Sequence, residues 1–127
     1  MSERSVAVIG ASSDRRKYGN KAVRAFVDAG WRVFPVNPNE PEVEGLPTFP
    51  TVNDILDPVE VATLYVPAKV GAKLLPDFAR KGVKEVWINP GAGNSDLTAE
   101  ADRLGLRHRS LCSIIEVGHS PGEYPDL

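Results

Sequence analysis

The sequence has one cysteine, Cys112, so no internal disulfide can close and no multi-cysteine metal site can form. It also has no long hydrophobic run. The apolar stretch that follows Met1-Ser2-Glu3-Arg4 is too short for a signal-peptide core and far too short for a membrane span. A soluble, unprocessed protein of the reducing cytoplasm is expected. No charge sign dominates: 15 Lys plus Arg stand against 17 Asp plus Glu. No overall positive field draws in nucleic acid or an anionic membrane, and any basic site has to be local. Aromatics make up only 7%, without the ladder of rings and cations that single-stranded nucleic acid requires. At 127 residues the chain is expected to be one domain, with no room for a second large one. Its 42% hydrophobic content suffices for one core.

What is present alternates. Ser5 to Ile9, Trp31 to Val36, Val61 to Val66 and Glu85 to Ile88 are short apolar runs bounded by Gly, Pro or Asn, the pattern of buried parallel strands. Arg107 to Leu111 is a weaker fifth candidate. Between them, Ala22-Val23 and Phe26-Val27 recur four residues apart, with Gly30 placed for a left-handed helix end. Thr51 and Asp54 have capping-box form ahead of a short helix over Val52 to Leu56. Val70, Leu74, Leu75 and Phe78 share one helical face from Ala68 to Arg80, where Pro76 should bend or restart the helix. Leu97 to Leu104, capped by Ser95 or Asp96, makes the last helix, and Val117 to Leu127 has no period. The alternation implies an α/β fold: a single doubly wound parallel sheet of about five strands, Rossmann-like, with helices on both faces.

Ligands of such sheets bind beyond the carboxyl ends of the strands, where the strand order reverses. The first loop there runs from Gly10 to Asn20; its small residues, with Ser12 and Ser13 adding hydroxyls, let backbone N–H groups approach an anion, and a helix follows it. Arg15, Arg16 and Lys17 add three cations to a slightly acidic chain, as a phosphate-rich ligand would need. A solvated charge run in a long loop is the competing reading of those three. A dinucleotide fingerprint would need Gly at Ser12 and Gly or Ala at Arg15, and the second strand ends in Asn37-Pro38 without an acid for ribose hydroxyls, which argues against NAD. No Gly-Lys-Ser/Thr closes the loop, so a P-loop is absent.

The order Val8-Ile9-Gly10-Ala11-Ser12, Val36-Asn37-Pro38, Val66-Pro67, Trp87-Ile88-Asn89, with Cys112 just before Ile114-Ile115-Glu116, resembles the small stand-alone coenzyme A-binding proteins. Their fold is like the N-terminal domain of the succinyl-CoA synthetase α subunit. The likeness runs from about Val6 to Glu116. It implies that CoA or an acyl-CoA lies across the carboxyl edge of the sheet. Gly10 to Ser13 would hold the phosphates, Asn37 and Pro38 would lie beside the nucleotide, and Val66 and Pro67 would flank the pantetheine arm, with Asn89 on the same edge. Arg15, Arg16, Lys17 and Lys21 are the cations nearest that loop, and Tyr65 stands with Val66 and Pro67 as an apolar wall.

No spacing commits to a nucleophile with its base, a carboxylate pair or a metal. His108 and His119 are read as structural or surface groups, and Cys112 as a small buried hydrophobe. Binding without catalysis is expected of a monomer or homodimer. The alternatives are a small enzyme on an acyl-CoA or phosphorylated metabolite, with Cys112 or His108 reacting, and a nucleotide-sensing regulatory domain.

Overall fold

A computed structural model describes residues 4–127; Met1-Ser2-Glu3, read above as the lead-in to the first strand, lie outside the described residues. Strands β1 (Ser5–Ile9), β2 (Arg32–Val36), β5 (Val61–Leu64), β6 (Glu85–Ile88) and β7 (Arg107–Ser110) form a parallel sheet in the order β2-β1-β5-β6-β7. A two-stranded hairpin, β3 (Glu42–Val43) and β4 (Leu46–Pro47), stands apart from it. The helices are α1 (Tyr18–Asp28), α2 (Ala68–Lys81), α3 (Ser95–Arg103) and α4 (Ser113–Glu116).

The two-residue period of the strands sends side chains alternately to two cores. Ala7, Ile9, Leu64, Val86 and Ile88 pack against Leu75 and Phe78 of α2 and Leu97 and Ala101 of α3. Val6, Val8, Val61 and Trp87 pack against Ala22, Val23 and Phe26 of α1 and Ile114 of α4. Trp31 and Trp87 are packing residues, stacked with each other and with Phe26 at centroid distances of 5.0–6.1 Å. Helices therefore cover both faces, as the alternation implies. The chain runs outward from β1 to β2 and then returns to β5 on the other side of β1, so the switch point lies between β1 and β5. The outer strands carry Pro35 in β2 and the exposed Arg107 and Arg109 in β7.

Several local expectations are corrected. The second strand starts at Arg32, one residue later than read. The third ends at Leu64, not Val66: Tyr65 N–H makes a last bond to the Ile9 carbonyl at 2.8 Å, and Pro67 has no N–H to continue the ladder. The helix containing Pro76 does not restart; α2 runs through it because the buried Leu75 and Phe78 tie both halves to the sheet. Its left-handed end at Gly82 and that of α1 at Gly30 follow the sequence, with Trp31 N–H returning to the Phe26 carbonyl at 3.0 Å. The cap of α3 is Asn94, whose side chain accepts from Leu97 N–H at 2.9 Å, not Ser95 or Asp96. The helix after Thr51 is a single 3-10 turn, Val52–Asp54, because Ile55 turns extended to bury its side chain. The terminal stretch has its own 3-10 turn, Pro121–Glu123, and is anchored to α1, as described below.

Candidate functional site

Gly10 leaves β1 at φ +89°, and its N–H closes onto the Val36 carbonyl of β2 at 3.0 Å. A Cβ here would stand 2.4 Å from the Tyr65 carbonyl oxygen. A Cβ on Gly19, in the first turn of α1, would likewise stand 2.4 Å from the Gly10 carbonyl oxygen. Two glycines thus let the loop lie against β5 and let α1 begin directly above the loop.

The loop is braced from below. Asn20, fully buried, donates to the Ser12 carbonyl at 2.9 Å and to Glu44 at 3.0 Å, and accepts from Arg24 at 2.8 Å. Asn37 donates to the Ala11 carbonyl at 2.8 Å. Ser12 Oγ accepts from Asp14 N–H at 3.0 Å, and Ser13 N–H donates to the Glu40 carboxylate. The Ser13 hydroxyl, followed by that N–H bond, holds the Glu40 carboxyl below its ordinary range. Arg16 hydrogen-bonds the Asp14 carboxylate at 2.9–3.0 Å and holds its pKa down at about 2. Arg15 turns to Glu44 at 3.2 Å. Lys21 turns to Asp126 at 2.7 Å and to the Tyr124 carbonyl at 2.8 Å. Of the loop cations singled out from the sequence, only Lys17 lines the groove.

That groove, of about 570 Å³, lies over the switch point between Gly10, Ser12, Lys17, Tyr18, Tyr65, Val66, Pro67 and the Asn89–Ala92 turn. A second cavity of about 410 Å³ adjoins it and shares Gly10, Asn37 and Val66. Its walls are mostly apolar: Ile9, Val36, Pro38, Val52, Val70, Leu74. Gly10, Ser12, Lys17, Asn37, Pro38, Val66, Pro67 and Asn89 therefore converge on one edge, while Arg15 and Arg16 face the acids beside the loop. Asn89 contributes shape: its amide is engaged by Thr63 Oγ1 at 2.7 Å, the Leu64 carbonyl and Ser113 N–H.

Two helices open onto this edge without caps. Neither Lys17 nor Pro67 caps its helix, and neither first turn contains an acid. The N–H groups of Tyr18, Gly19, Ala68 and Lys69 find no acceptor among the described residues. The contrast is α3, whose N-terminus is closed by Asn94 and carries Asp96. Free N–H groups and positive dipole ends are the features by which helix starts attract anions. A cavity of about 580 Å³ at the amino ends of the strands, lined by Lys81 and Gly82, instead faces the negative end of α2.

The candidate reacting groups are partnered or peripheral. His108 Nε2 lies 2.8 Å from Asp102, His119 Nδ1 lies 3.1 Å from Glu123, and neither lines the groove. Cys112 is half-buried, more open than expected, and lines smaller cavities beside the groove. Sequence reasoning put Tyr18, Gly19 and Asn20 in the first loop but gave them no role, whereas the structure places them in the first turn of α1; the Gly-Asn pair, which helix propensity does not favour there, is the signal that could have singled out two of them.

Comparison with known proteins settles the family. The family model described as a CoA binding domain matches residues 4–118. The chain belongs to the CoA-binding domain family. This CoA-binding domain is 34% identical over 121 residues to the α subunit of acetate–CoA ligase (ADP-forming) II of Pyrococcus furiosus, covering 94% of the chain and 25% of the subunit. It is 32% identical to an ADP-forming acetate–CoA ligase of Methanocaldococcus jannaschii, covering 83% of the chain and 16% of that protein. The chain thus spans a quarter or less of these ligases. A solved structure of a conserved hypothetical protein from Pyrococcus furiosus superposes with a TM-score of 0.83 at 33% identity, over 89% of this chain and 98% of the other. The acetyl-coenzyme A synthetase 1 of Ca. Korarchaeum cryptofilum, solved with phosphate and ADP, superposes at 0.73 and 32% identity, over 82% and 25% of the chains. Membership of the family supports CoA as the ligand, and among the described residues no helix is long and apolar enough to cross a membrane.

Proposed function

We propose that this domain binds coenzyme A or an acyl-CoA across the carboxyl edge of its sheet and catalyses no reaction by itself. The observation that carries the site is the pair of uncapped helix N-termini flanking Gly10 at the switch point. The CoA pyrophosphate sits over Gly10 to Ser12, taking N–H groups from the first turns of α1 and α2. The adenine enters the 410 Å³ cavity beside Pro38, Val52 and Val70. The pantetheine arm runs the other way along the groove past Tyr65, Val66 and Pro67. Lys17 supports this assignment, because a cation at the start of a helix is opposed by the dipole, an opposition only partly offset by Asp14 and Glu40 nearby. Its ammonium gains when a phosphate arrives.

The ligand-free loop is already shaped. Asn20 and Asn37 fix the Ser12 and Ala11 carbonyls, so little backbone ordering remains to oppose binding. Isothermal titration of protein stripped of endogenous nucleotide tests the reading: heat with CoA is expected, and competition by ADP is weaker. No heat and no thermal shift with millimolar CoA or acyl-CoA would refute it.

A further inference from the structure

Beyond the groove lies a smaller cavity of about 260 Å³, lined by Tyr18, Tyr65, Asn89, Pro90, Cys112 and Pro121. Four of these, Tyr18, Tyr65, Asn89 and Pro90, also line the groove, so the two spaces meet. On the binding mode proposed above, on which this inference rests, the thiol end of the pantetheine arm points there. We propose that this cavity is an acyl pocket and that the preferred ligand is a CoA thioester of a short, uncharged acyl group.

Three observations carry the choice. First, the lining offers rings, Pro carbons and a thiol, and contains no Lys, Arg or His. An acyl group ending in a carboxylate would leave its charge there without a partner. Second, the volume is below the roughly 300 Å³ at which pockets for drug-sized ligands begin, so a long acyl chain overruns it. The neighbouring 470 Å³ cavity, which shares Asn89, Pro90 and Cys112, sets Asn94, Thr98 and Ser110 among Ile88 and Leu111 and, being more polar, suits an alkyl chain less.

Third, the mouth of the pocket holds a phenol O–H that can be turned towards a ligand. Tyr65 Oη and Ser113 Oγ lie 2.7 Å apart and share one hydrogen, and the Thr63 hydroxyl is a further neighbour of the phenol, so the Tyr65 O–H can pass from these internal partners to a ligand. Ser113 is fully buried and its N–H is bound to Asn89, whereas Tyr65 borders both spaces. Burial raises the Tyr65 phenol far above its ordinary pKa, so it stays a neutral donor. A thioester carbonyl at this junction can accept that hydrogen. Free CoA has no carbonyl there.

The test is a titration series with CoA, acetyl-CoA, butyryl-CoA, succinyl-CoA and palmitoyl-CoA on the full chain. Affinity is expected to rise from CoA to acetyl-CoA to butyryl-CoA, by about fourfold for each methylene buried. Succinyl-CoA and palmitoyl-CoA are expected to bind no better than CoA. Tyr65→Phe should reduce the butyryl-CoA to CoA affinity ratio by roughly twofold to tenfold, and Cys112→Leu, which fills the pocket, should bring that ratio towards one. Binding of CoA with no preference for butyryl-CoA, or with succinyl-CoA as tight as butyryl-CoA, would overturn the acyl pocket alone. Silence from every compound, CoA included, would overturn the binding site with it.

Discussion

Exchanging a helical glycine for alanine ordinarily favours the helix by about 1 kcal/mol. Gly19 should reverse that sign, because the added Cβ would lie 2.4 Å from the Gly10 carbonyl oxygen, a backbone atom that cannot swing aside. Gly19→Ala is expected to lower the unfolding free energy by about 1–3 kcal/mol, seen as an earlier midpoint in urea; a later one would mean the loop yields freely. Lys17 separates binding from folding. Lys17→Glu removes a groove cation and sets an acid beside Asp14 and Glu40, so CoA affinity should fall roughly tenfold or more while stability changes by less than about 1 kcal/mol, the helix dipole opposing the new repulsion. Arg16 is already engaged by Asp14 and largely exposed, so Arg16→Glu should cost less than roughly threefold in affinity. Equal losses in calorimetry would show that the phosphates do not distinguish these cations.

Elements differ in how openly the sequence declares them. Strands buried on both faces announce themselves by β-branched runs, and Gly30, Gly82 and Gly105 mark helix ends because only glycine takes their positive φ without strain. α4 is one turn long and the hairpin strands are two residues each, so neither has a period to read. The hairpin turn is Glu44-Gly45, both at positive φ, where Asn-Gly would have been the clear signal. Gly10, Pro38 and Pro67, which line the groove or its neighbour, were legible because they follow the carboxyl ends of clear strands, whereas Gly19 lies inside a helix and gave no such cue. The partners of Arg15 and Lys21 were not, since Glu44 and Asp126 are brought to them only by tertiary folding.

Tyr124 buries its ring and donates its hydroxyl to Asp28 at 3.0 Å, while Arg24 reaches the Pro125 carbonyl at 3.0 Å. Burial, followed by the bond to Asp28, raises the phenol from 10.0 to about 12. An acid whose folded pKa is raised favours folding while neutral. Its contribution is complete below about pH 10 and is lost as pH climbs through about 12. Tyr124→Phe should therefore lessen the alkaline drop in stability between those limits, followed by circular dichroism; an identical drop would place the sensitive group elsewhere.

For the molecule as a whole, a ligand that binds only the folded form adds stability by mass action. Coenzyme A at a hundredfold its dissociation constant adds about 2.7 kcal/mol. For a chain of this size that moves the melting temperature by on the order of 10 °C. Scanning fluorimetry reads it directly, and a shift that fails to grow with CoA concentration would mean the ligand does not select the native state.

Each border of the sheet is also closed to newcomers. On one side Pro35 withholds the amide that an incoming strand would need; on the other, the guanidinium groups of Arg107 and Arg109 would meet their own copies. Growth into ribbons by edge addition is thereby disfavoured even when this protein is crowded. Association through helices and loops is favoured instead, and on the proposed binding mode the carboxyl edge is the surface where a partner would feel whether the site is filled.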